Sequence, residues 1–219
     1  MGNEEIGFKV IVDLGVWLND EYLEKIKRYQ LPFLKRELED PTTILILAGG
    51  HTNPEKPFIS EAMAKQRFLL LENLPGERIL LENQSIRTTH NLKFVIRELP
   101  LDCPKIDKIV FTGEEGSKKE VLFLAPRYCK KYLGFVPPVE YFGIPYLSAK
   151  KRRKKENLFP LIVIAYYFPP LDWLMTLIRW LTIRLKCFKL RHTICTSPFH
   201  LGCEDCKLKE VLIQKIRAK

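Results

Sequence analysis

Ile44-Leu45-Ile46-Leu47-Ala48-Gly49-Gly50-His51 is the stretch that decides the fold. An apolar run without polar alternation is a strand covered on both faces, and both faces are covered where parallel strands are joined by crossover helices. The glycine pair that closes the run can turn with positive φ and approach another group closely, which a residue with a Cβ does only at a cost.

Outward from this run, comparable apolar stretches recur at residues 8–14, 79–81 and 108–112, with a fifth at 139–142. Segments of helical period lie between them. Residues 20–39 put Tyr22, Ile26, Tyr29 and Phe33 on one face, with Pro32 bending the helix. Ser60 caps a helix with Ala64, Phe68 and Leu71 along its apolar stripe and Glu61 in its electropositive first turn. Leu92, Val95, Ile96 and Leu99 follow the i, i+3, i+4, i+7 pattern, and Pro100 ends that helix. This alternation predicts an α/β fold, a Rossmann-like three-layer sandwich with a mostly parallel sheet, over residues 1–147.

Ligands of such sheets gather where strand carboxyl ends meet helix amino ends. The residues found there are Asp13 and Gly15, then Gly49, Gly50 and His51, then Glu82, Ser85 and Thr88, then Thr112, Gly113 and Glu114. On a helix beginning near Thr88, Thr88, Asn91 and Val95 share a stripe, so a hydroxyl and an amide face the crevice with Glu82. Glu61 and Glu82 then form a carboxylate pair whose differing surroundings can separate their pKa values and suit acid/base work. Gly49 and Gly50, through backbone donors, with Ser60, Ser85, Thr88, Asn91 and Thr112, are the predicted ligand contacts. Ser60 by itself reads equally well as a helix cap.

Leu47-Ala48-Gly49-Gly50, Ser60-Glu61-Ala62 and the run from Glu82 through Ser85, Arg87, Thr88 and His90 to Asn91 together resemble the YdcF-like family of bacterial domains. That family shows a Gly-Gly turn, a Ser-Glu-Ala-like helix start and a Glu-x-x-Ser-x-Asn-Thr-x-Glu-Asn segment on a Rossmann-like sheet. The resemblance implies that Gly49, Gly50, Glu61, Glu82, Ser85, Thr88 and Asn91 line a pocket for a phosphorylated or nucleotide-like ligand. It also implies a role in envelope biogenesis and an adenosyl-type ligand such as S-adenosylmethionine. The chain departs from the pattern at Arg87, where the family has Asn, and at His90, where it has an acid or amide. After the fourth strand, Thr112-Gly113-Glu114-Glu115-Gly116-Ser117-Lys118-Lys119 stands where the family carries Thr-Ser-x-x-His-x-x-Arg, so the histidine is missing.

The formal net charge of +10 favours an anionic partner, and 46% apolar residues in 219 give ample core. Without an apolar stretch of signal length near the N-terminus, neither export nor an N-terminal anchor is expected, which places the chain in the cytoplasm.

Beyond residue 147 the character changes, and residues 148–185 form a basic and hydrophobic segment. Lys150-Lys151-Arg152-Arg153-Lys154-Lys155 precedes an apolar stretch, 158–178, nominally long enough for a bilayer but interrupted by Pro160, Pro169, Pro170 and Asp172. Two readings stand side by side: a hairpin or helix lying at an anionic membrane surface, with Tyr166, Tyr167, Trp173 and Trp180 at the interface, or a further buried strand or helix of the core. The first gives an alternative function, a non-catalytic binding protein peripheral to the inner face of the membrane. Nucleic acid is disfavoured, because the basic residues lack interleaved stacking aromatics.

Residues 186–219 form a basic tail bearing Cys187, Cys195, Cys203 and Cys206. His192-x-x-Cys195 and Cys203-x-x-Cys206 have the spacing of structural zinc ligands, and a basic amphipathic helix is the alternative.

Overall fold

A computed structural model describes residues 7–15, 20–52, 59–99, 106–145 and 149–189. The strands are β1 (Phe8–Leu14), β2 (Thr43–Ala48), β3 (Ile79–Glu82), β4 (Ile106–Glu114) and β5 (Val139–Ile144). All pair in parallel, in the order β3-β2-β1-β4-β5. The order reverses between β1 and β4, where Val12 lies beside Phe111 and Asp13 beside Thr112.

Helices cover both faces. They are α1 (Asp20–Lys25), α2 (Leu31–Glu37), α3 (Glu61–Leu71), α4 (Thr88–Glu98), α5 (Lys118–Tyr132), α6 (Ala149–Tyr167) and α7 (Pro169–Lys189). Because side chains alternate along a strand, β1 sends Val10, Val12 and Leu14 to one core and Ile11 to the other. The first core is closed by Leu92, Val95 and Ile96 of α4 and Val121 and Leu124 of α5. Leu31 and Leu34 of α2 and Ala62 and Leu69 of α3 close the second. The result is the Rossmann-like three-layer α/β sandwich expected, with every strand parallel.

Two predicted helix faces are corrected. Between α1 and α2 the chain widens into a π-helical turn, Ile26–Gln30, which rotates the following residues. Gln30, not Tyr29, therefore faces the sheet with Tyr22 and Ile26, and Tyr29 is exposed. Pro32 sits in the first turn of α2, where its missing N–H is tolerated. On α3 the buried stripe is Ala62, Lys65 and Leu69, whereas Leu71 is 83% exposed. A lysine on the inner stripe is what concealed it from a hydropathy reading.

Residues 149–189 are two helices broken at Phe168, with the proline pair opening α7, so the alternative of a further strand is overturned. Ile162, Ala165 and Tyr166 pack α6 toward α5, and Ile183 packs α7 against Ile86. Among the described residues, no helix is long and apolar enough to cross a membrane. The predicted zinc ligands His192, Cys195, Cys203 and Cys206 lie outside the described residues, as does Pro100.

Candidate functional site at the carboxyl edge of the sheet

Backbone hydrogen bonds tie the loops after β2 and β3 to the start of α3. Gly49 N–H donates to the Glu82 carbonyl (2.8 Å) and Gly50 N–H to the Ser85 carbonyl (2.7 Å). The glycine carbonyls in turn accept from Ala62 and Glu61, each at 3.0 Å. Ser60 is the N-cap of α3, its hydroxyl accepting from Met63 N–H at 3.0 Å. Gly49 has φ of 151°, and a Cβ on Gly50 would stand 2.4 Å from the Ser85 carbonyl oxygen. The glycine pair thus serves contact of backbone with backbone. The two amide donors expected to meet a ligand are engaged inside the cluster, and so are the first three amides of α3, the usual anion-binding groups of a helix.

Asn91 joins β1 to this cluster. With its amide turned as its neighbours require, the nitrogen donates to the Ser85 hydroxyl and the Arg87 carbonyl (3.2 Å), and the oxygen accepts from Gly15 N–H (3.2 Å). The segments around residues 15, 49, 60, 82 and 91 therefore meet at one edge of the sheet. Thr88 opens α4 half-buried, and among the described residues no hydrogen bond links its side chain to the cluster.

The two glutamates occupy different surroundings. Glu82 is buried, and its Oε1 accepts from the amides of Gln84 (2.8 Å) and Ser85 (3.0 Å), while Oε2 has no hydrogen-bond partner. Burial pushes this carboxyl up to about 7, against the hydrogen bonds from Ser85 and Gln84. The void beside it, lined by Phe94 and Arg97, measures only about 10 Å³. That is room for about one water. Glu61 is half-buried on the opposite helical layer, takes the Thr52 hydroxyl as donor, and lies against the backbone of Gly15 and Gly49. The pair is brought to one loop cluster, but Glu82 turns back onto its own loop and is buried, whereas Glu61 is half-buried.

Beneath Glu61, at the β1/β4 reversal, lies a buried polar network to which α3 contributes Lys65 and the π-helical turn contributes Gln30. Lys65 Nζ stands 2.8 Å from both carboxylate oxygens of Asp13, with the two side chains 2% and 0% exposed. Gln30 Nε2 donates to Thr112 Oγ1 at 3.0 Å. Burial raises the Asp13 pKa against the pull of Lys65. Burial, followed by the charges of Asp13, Glu114, Tyr141 and Glu61, pushes the Tyr22 hydroxyl well above its ordinary range. Asp13, Thr112 and Glu114 were legible as residues that end strands. Lys65 and Gln30 were legible only as polar residues at helical spacing (i+4 from Glu61 and from Ile26).

Family models, curated proteins and solved structures give no match to the chain. The likeness to YdcF-like domains therefore rests on the residues quoted for it. The two departures from that pattern within the 82–91 segment share a location. Arg87 Nη1 donates to the Asp172 carbonyl (3.1 Å), to Asp172 Oδ1 (3.2 Å) and to Thr176 Oγ1 (2.9 Å), and His90 Nε2 lies 3.1 Å from the same hydroxyl. Because the Thr176 hydroxyl donates to the Asp172 carbonyl (2.8 Å), its oxygen accepts from both Arg87 and His90, which assigns the proton to His90 Nε2. Burial, with the charges of Arg87 and Lys93, lowers His90 to about 3, so the ring is neutral. Both residues hold α7 in place. Among the described residues no group of three or more potential ligands is placed to hold a metal ion.

Proposed function

We propose that the chain binds a small adenosyl-type ligand over the carboxyl edge of the sheet, at the reversal between β1 and β4. A parallel sheet opens a crevice at that point because the connecting loops leave in opposite directions. The observation that carries the reading is the chemistry offered there: carboxylates of Glu61 and Glu114 near Tyr22, with Asp13 buried and committed to Lys65. The neighbouring amide donors are already engaged. Such a site supplies acceptors, suited to ribose hydroxyls and to a positive sulfonium centre, and it is poorly suited to a phosphate. S-adenosylmethionine carries both favoured groups, and the YdcF-like resemblance points to the same class and to a place in envelope biogenesis. Glu61 is the carboxylate that reaches the ligand, and Glu82 positions the loop.

Calorimetric titration tests this. S-adenosylmethionine is expected to bind more tightly than S-adenosylhomocysteine, which lacks the sulfonium charge, and Glu61→Gln to weaken it about tenfold, the scale of one charge-assisted hydrogen bond. Absence of heat with both compounds, or equal affinity in the variant, contradicts the reading.

A second reading is favoured by one specific observation. Leu174, Ile178, Leu181 and Leu185 recur at i, i+4, i+7, i+11 along α7 and are all exposed, and Leu161 and Ile164 of α6 are exposed as well. A continuous apolar stripe on water invites a partner. The cationic run 150–155 belongs to the same helix as Leu161 and Ile164, and an anionic surface would offset its charge. The occupant these features suit is an anionic membrane surface, met by a hairpin lying on it. Full-length protein is expected to sediment with vesicles containing phosphatidylglycerol, and Leu174→Ser/Ile178→Ser to stay in the supernatant. Equal sedimentation of both proteins counts against it.

A further inference from the structure

A second cavity lies on the outer side of α4, away from Glu61 and the Asp13–Lys65 pair. It measures about 110 Å³ and lies between α4, α5 and the α6–α7 hairpin. That is several times the roughly 10–15 Å³ needed for one water. Its polar lining comes from Thr89, Lys93, Tyr128, Lys131, Tyr132 and Asp172.

Two observations bear on what the cavity takes: an unpartnered hydroxyl and two lysines without a carboxylate partner among the described residues. Thr89 is only 5% exposed, yet its hydroxyl has no hydrogen-bond partner. A buried hydroxyl left unpaired is uncommon and implies a group that completes it. Lys93 and Lys131 come from adjacent helices, and among the described residues neither has a carboxylate within ion-pair distance; Lys131 only overlies the Tyr132 ring. The single acid in the wall, Asp172, is paired to Arg87. The remaining wall, with Leu124, Ile162 and Ala165, is apolar.

We propose that this cavity is a second ligand site that takes a phosphate group joined to a small organic body. Lys93 and Lys131 supply the countercharge, and the Thr89 and tyrosine hydroxyls supply the hydrogen bonds. The inference is independent of the adenosyl reading, and its lipid arm alone rests on the membrane-surface reading. The phosphate comes either from a free monoester or from the headgroup of a phospholipid reached by the neighbouring apolar stripe.

Two probes and two variants of the full chain test it: glycerol 3-phosphate, and vesicles of phosphatidylcholine with or without phosphatidylglycerol. At matched ionic strength, glycerol 3-phosphate at tenfold over its Kd is expected to raise the unfolding midpoint by about 3 °C. Lys93→Ala/Lys131→Ala is expected to weaken that binding at least about tenfold, the scale of losing charge-assisted hydrogen bonds. Thr89→Val removes the unpaired hydroxyl at nearly constant shape, so its midpoint without ligand should rise while its response to the phosphate falls. A phosphate response from glycerol 3-phosphate assigns a free monoester. A response only to phosphatidylglycerol vesicles, lost in the lysine double variant, assigns a lipid headgroup. No response to either probe, or a response unchanged in both variants, overturns the proposal.

Discussion

The loop cluster after β1, β2 and β3 and the seam beneath the α6–α7 hairpin both assemble polar groups at helix amino ends, with opposite results. In the loop cluster, glycine lets backbones approach until amides meet carbonyls, and the amides of the glycine turn are taken up by protein. In the seam, tyrosines and lysines hold the helices apart, and a cavity of about 110 Å³ remains. A glycine-rich turn after a strand is therefore not in itself a cradle for a ligand: what matters is whether its amides remain available once the neighbouring loops are in place.

The difference can be broken first at the Asp13–Lys65 pair. Lys65→Met leaves a fully buried aspartate without its partner, and a loss of about 3–5 kcal/mol in urea unfolding is expected. Asp13→Asn combined with Lys65→Met should recover part of it. A loss under about 1 kcal/mol in the single variant would mean that the pair is solvated.

Next in size is a pH effect at Glu82. Its folded pKa is raised from 4.5 to about 7, so between those values the folded chain holds a proton that the unfolded chain releases. Stability should then fall as pH rises through that window, by about 3 kcal/mol in all, and remain lower above it. Glu82→Gln keeps an acceptor for the Gln84 and Ser85 amides and should remove this component. Parallel pH profiles of the two proteins would contradict the assignment.

At the seam the expected effects are smaller. Arg87→Ala removes the donor that joins α4 to Asp172 and Thr176, at a cost of about 1–2 kcal/mol, because Asp172 is 30% exposed and water replaces part of the interaction. The loss should appear mainly as proteolytic sensitivity of α7. Ile178→Ser, on the outer stripe, should change stability by no more than about 0.5 kcal/mol while affecting only association with vesicles.

The same contrast explains what the sequence reveals. The strands announce themselves because a parallel sheet covered on both faces is apolar at nearly every position, as in 44–47, and Leu92, Val95, Ile96 and Leu99 face one core without interruption. The residues behind the candidate site are harder to read, because a buried lysine or glutamine looks like a surface residue until its partner is placed beside it. Lys65 depends on Asp13, and Gln30 on both Thr112 and a π-helical turn that no simple period describes. Helix α5 has no clean boundary in the sequence, since Pro126 interrupts its pattern although Val121, Leu124, Ala125 and Cys129 are all buried. Ile162-Val163-Ile164-Ala165 has the composition of a strand, and its helical state follows from the longer segment that contains it. Arg87 and His90 stand out as departures from a motif, and only the position of α7 gives their reason.

Native-state hydrogen exchange measures the two regions in one experiment. The amides of Gly49 and Gly50, hydrogen-bonded between buried segments, should exchange only through global unfolding, and those of α7 through a local opening of lower free energy. Gly49 and Gly50 amides that exchange as fast as those of α7 would show that the loop cluster is open, and would return it to the role of a backbone cradle for a ligand.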